Sequence, residues 1–102
     1  MLRKPFNDVI VRQLELFERE HAGLIRDCEE AERAYDQAPR DEAEERYGDY
    51  VDLVETGTEV LADLRDNYAL TLAEEAAEKY EEAFNRAVAK RLPRFSLELE
   101  NR

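Results

Sequence analysis

Tryptophan is missing from this chain, and cysteine and histidine appear once each among 102 residues. A lone thiol, Cys28, cannot close an internal disulfide, so no cross-link supports the fold. With only 3 glycines and a composition led by Ala, Glu, Leu and Arg, the sequence suits long helices and argues against a β-rich fold. It has no glycine-rich phosphate loop, no nucleophile placed beside a base, no internal repeat and no glycine-serine linker. The reading is therefore of one helical domain over residues 1–102, and of an architecture before an activity.

Positive charge is also scarce. The 26 acidic residues outnumber the 15 Lys and Arg, leaving a formal net charge of -11. Such a surface repels nucleic-acid phosphates and anionic lipid headgroups, so neither nucleic acid nor membrane is expected as a partner. Arg3 and Lys4 are followed by no apolar leader core, and no window approaches the roughly 18 apolar residues of a membrane span. A cytoplasmic protein is the expectation. At this length a single core is marginal, which makes oligomerisation a standing prior.

What is present is periodicity. Asn7, Leu14, His21, Cys28 and Tyr35 share one heptad position, with Ile10, Phe17, Leu24 and Ala31 on its partner, the pattern of a coiled-coil seam. It predicts a first helix over about 7–35, with Asn7 as N-cap, Asp8 in the positive first turn and Phe6 stapled onto Val11. Cys28, on that seam, is expected to be a buried, inert thiol.

The segment 36–40 breaks the pattern, and Pro39 suits a first helical position. A second helix over about 39–68 repeats the seam with Ala43, Tyr47, Tyr50, Val54, Gly57, Leu61, Leu64 and Tyr68. The short connection makes the two antiparallel. A turn centred near Ala38 sets His21 near Val54 and Glu55, and Cys28 near Tyr47 or Gly48. Gly57 falls in the seam, where a missing side chain permits close approach.

After Tyr68 the phase fails, and the apolar set restarts at Leu72 and runs to Val88. A capping-box pattern at Thr71–Glu74 favours a third helix over about 71–92, stopped by Pro93. The tail, 93–102, alternates Phe95, Leu97 and Leu99 with polar residues, which reads either as a frayed end or as an extended arm seated on another surface.

Candidate chemistry is sparse. Glu18-Arg19-Glu20-His21 contains Glu-x-x-His, which resembles the metal motif of ferritin-like di-iron and di-manganese proteins over these four residues. That family uses two such motifs and further carboxylates facing inward. The resemblance therefore implies iron or another divalent metal at a site assembled between subunits, with Glu55 as a further ligand. Without metal, His21 is expected to bond Glu55 or a tyrosine hydroxyl. Asp49, Asp52, Glu55, Glu59, Asp63 and Asp66 form an acidic ladder, read as a solvated face rather than a pair of catalytic carboxylates. A small all-helical enzyme of the chorismate mutase kind would need a buried Arg or Lys for its anionic substrate, and the seams offer none.

Residues 39–68 carry 10 acidic and 3 basic side chains, whereas 83–97 hold Arg86, Lys90, Arg91 and Arg94 with no acid. The two surfaces are complementary, within the bundle or between subunits. The expected protein is all-α: an antiparallel helical hairpin plus a C-terminal helix, bundle-like and oligomeric. Its expected function is that of a structural or interaction module that self-associates through apolar seams, or binds another protein, without a cofactor. Tyr68, Tyr80, Phe84, Phe95, Leu97 and Leu99 are the interface candidates.

Overall fold

The computed structural model describes residues 5–102. Five α-helices follow in order, α1 (Asn7–Glu20), α2 (Ala22–Gln37), α3 (Ala43–Ala69), α4 (Glu74–Arg91) and α5 (Ser96–Glu100), with a 3₁₀ turn at Pro93–Phe95. The described residues contain no strand. The fold is all-α, as expected, with helices packed as a bundle. None of these helices is long and apolar enough to cross a membrane.

The first long helix is divided. At His21 the backbone turns to φ -117° and ψ 28°, although the His21 N–H still reaches the Phe17 carbonyl. The bend serves two neighbours: α1 packs on α4, and α2 packs along α3. One straight rod would serve only one of them. The helix also starts differently, because Phe6, not Asn7, is the N-cap. As the N-cap itself, Phe6 does not hold the preceding position from which the staple onto Val11 was expected. It sits at φ 67°, and its ring meets Tyr80 edge-on at 5.5 Å. A left-handed aromatic residue is strained by roughly 1–2 kcal/mol, which that contact helps offset.

Pro39 does not open α3. It lies in the connection and accepts the Glu42 N–H at 2.9 Å, and α3 begins only at Ala43. The hairpin register shifts with it. Tyr47 meets Tyr35 at 5.2 Å with the rings tilted, about two turns nearer the connection than the Cys28 neighbourhood expected for it. No residue from 29 to 49 is buried, so the end of the hairpin stands out from the core of a molecule 51 Å long and 23 Å across.

α3 has one broad buried face. The expected seam of Val54, Gly57 and Leu61 is its one edge; Thr58, Ala62 and Arg65 widen it on the other side, which the periodicity did not reveal because two of these are polar. Thr58 returns its hydroxyl to the Val54 carbonyl at 2.8 Å. The Arg65 guanidinium donates to Asn85 Oδ1 at 3.0 Å, to the Leu99 carbonyl at 3.1 Å and, through Nε, to Asp66 at 2.8 Å. The chain therefore does contain a buried arginine, contrary to expectation, and its bonds tie α3 to α4 and α5.

The break after α3 occurs where the seam phase fails. Thr71 does not cap the next helix: its hydroxyl donates back to Tyr68 O at 2.7 Å, and α4 starts at Glu74 behind Ala73. Pro93 ends α4 in the expected place. Beyond it the tail is neither frayed nor extended. Phe95 and Leu99 are fully buried while Leu97 is 74% exposed, so the spacing that matters is the i, i+4 of a helix rather than strand alternation. Phe95 reaches Phe17 edge-on at 5.8 Å, closing the core between α1, α3 and α4.

Candidate functional site

α1 and α4 run parallel. Phe6 lies against Tyr80, Tyr80 donates its hydroxyl to Gln13 Oε1 at 2.8 Å, and Arg91 grips Glu18 at 2.8 Å. Between them is a groove of about 480 Å³. Ile10 and Leu14, both buried, form its floor, and Val11, Ala83 and Ala87 form its walls. The alanines recur one turn apart on α4, where small side chains leave a trough that larger ones would fill. Lys79, Arg86, Lys90 and Arg91 edge it, with Glu82 as the acid among them.

This is a cationic rim on a strongly acidic chain. Arg91 is already committed: its Nε and Nη2 both donate to Glu18 Oε1, and that bonding raises its pKa further. Arg94 is committed as well, to Glu32 at 3.0 Å and to the hydroxyl of Tyr50 at 3.3 Å. The basic segment thus meets carboxylates of α1 and α2, and α3 contributes a tyrosine rather than its acidic ladder. Among the described residues, Lys79, Arg86 and Lys90 pair with no carboxylate.

At the far end of the molecule the hairpin tip has the opposite character. Tyr35 and Tyr47 meet there at 40% and 51% exposure. From 35 to 47 there are five carboxylates and two arginines. Arg46 pairs with Glu42 at 3.6 Å and Asp49 at 3.8 Å, while Asp36, Asp41, Glu44 and Glu45 are exposed and unpaired within the described residues.

The residues singled out for metal do not come together. Glu18 is held by Arg91, half-buried His21 lies over the Phe17 ring at 5.2 Å, and Glu55 is exposed on α3. Neither of the bonds expected of His21 forms. No group of three His, Cys, Asp or Glu side chains with metal-site geometry occurs among the described residues.

The interface candidates are mostly spent inside the chain. Tyr80, Phe84, Phe95 and Leu99 are buried core, Tyr68 is half-buried against Tyr80 at 4.7 Å, and Leu97 alone is exposed. Burial pushes the Tyr80 hydroxyl up to about 12, against a smaller opposing effect of Gln13. It also raises the thiol of Cys28, which is fully buried. The groove is hidden in the sequence because Arg86, Lys90 and Arg91 look like complements to the acidic surface of 39–68, and because two helices distant in sequence build it. Each residue of the acidic ladder on α3, by contrast, is exposed, as on a solvated face, although Asp66 also accepts from Arg65. The chain matches no protein-family model, no curated protein sequence and no solved structure.

Proposed function

We propose that this chain is a small helical interaction module that self-associates, with the α1/α4 groove as its docking surface. The observation that carries this reading is the pairing of an apolar trough with three unpaired cations, Lys79, Arg86 and Lys90, in a chain of net charge -11. An apolar floor inside a charged rim is the anatomy of a protein-binding face, where burial supplies affinity and charge supplies orientation. Most of the other expected seam residues are consumed in the chain's own core, which leaves this groove as the concave apolar surface available for self-association. Sedimentation equilibrium tests it. Wild type should gain mass with concentration, and Ala87→Glu, which places a carboxylate in the trough, should reduce that gain at least tenfold in concentration. A 12.0 kDa particle at every concentration would contradict the reading.

A further inference from the structure

We infer that the occupant of the α1/α4 groove is the α2–α3 hairpin tip of a second copy, so that copies join head to tail. This rests on the groove being the docking surface. A concave face needs a convex partner, and groove against groove would oppose two cationic rims. The tip is convex and presents the paired rings of Tyr35 and Tyr47, 40% and 51% exposed. Tyrosine supplies large contact area with a polar end, which suits a trough of about 480 Å³ lined by alanine and edged by donors.

Charge complementarity selects the same pair of surfaces. The tip's unpaired Asp36, Asp41, Glu44 and Glu45 match the groove's unpaired Lys79, Arg86 and Lys90. Within one chain they cannot meet. Glu18, near one end of the groove, and Tyr35 are separated by 17 positions of nearly continuous helix, roughly 25 Å of rise. Joined head to tail through a single tip and a single groove, two copies make a heterologous contact, which leaves an open tip and an open groove on every dimer. It therefore propagates into a chain or closes as a ring. A reciprocal two-fold pair would instead stop at the dimer, and wild type that stops there overturns the arrangement.

A mixing experiment separates this from other modes of association. One variant, Arg86→Glu with Lys90→Glu, disables the groove and keeps the tip; the other, Tyr35→Ser with Tyr47→Ser, disables the tip and keeps the groove. Each alone should be monomeric by sedimentation velocity, while wild type grows past the dimer. Mixed in equal amounts, the two should form a 1:1 dimer that grows no further, because one intact tip and one intact groove remain. Glu44→Lys with Glu45→Lys, at exposed positions, is the alternative tip variant if losing the tyrosines loosens the hairpin, and circular dichroism checks both folds. A mixture that stays monomeric, or a tip variant that associates like wild type, overturns the head-to-tail arrangement. Wild type that never associates fails the broader reading instead, so the two failures are distinguishable.

Discussion

The ring of Phe95 occupies the space that a β-carbon at Gly57 would fill: such an atom would lie 2.9 Å from Cζ and closer still to Cε1. The seam glycine was expected to let two helices approach. It does permit a close approach, but the visitor is a side chain from the tail, and the notch fixes where α5 begins.

Gly57→Ala should therefore destabilise the protein. Overpacking costs about 1–3 kcal/mol, and the better helix propensity of alanine returns about 1. With Phe95→Ala in place the same change should be neutral or stabilising by up to about 1 kcal/mol, since only the propensity gain remains. Urea unfolding of the two single variants and the double variant measures the coupling. Additive effects would mean the notch and the ring do not meet.

Deleting residues 96–102 should lower the melting temperature by at least about 10 °C. The loss removes buried Leu99, about 1.5–3 kcal/mol, and strips the Leu99 carbonyl from buried Arg65. Arg65→Met, which keeps volume and releases the guanidinium from a costly site, should be milder than the truncation. A truncated protein that melts like the full chain would show that α5 adds nothing to the core.

Alkaline pH should unfold the protein through Tyr80. Its folded-state pKa is raised from 10 to about 12, so the folded state holds the proton more tightly than the unfolded chain. The associated stability is present in full below pH 10 and is lost as pH rises toward 12, on the order of 2 kcal/mol. Tyr80→Phe starts less stable, having lost the bond to Gln13, and should show a shallower decline across that window in thermal melts. Parallel declines for the two proteins would remove Tyr80 as the cause.

Much of the helical frame was legible in the sequence. The hydrophobic phase marked the hairpin and its break after Tyr68, and Pro93 marked the end of α4. What was hidden had physical reasons. His21 bends its helix without a nearby proline, because tertiary packing on two different partners demands it. Thr58 and Arg65 are polar by type yet buried, so periodicity could not count them. Leu97 placed between Phe95 and Leu99 imitates a strand while a helix hides the outer pair. The groove depends on α1 and α4 lying side by side, which no local pattern announces.

Intermolecular paramagnetic relaxation between tip and groove tests the central claim most directly. With Pro39→Cys at the exposed hairpin connection, a nitroxide attaches there in preference to Cys28, whose thiol is fully buried. Spin-labelled, isotopically unlabelled protein is mixed with ¹⁵N wild type. The amides of Val11, Ala83, Ala87 and Lys90 should broaden, and more weakly once Arg86→Glu and Lys90→Glu are introduced in the ¹⁵N partner. Broadening at Tyr35 and Tyr47 instead, or none at concentrations where the mass has risen, would contradict it.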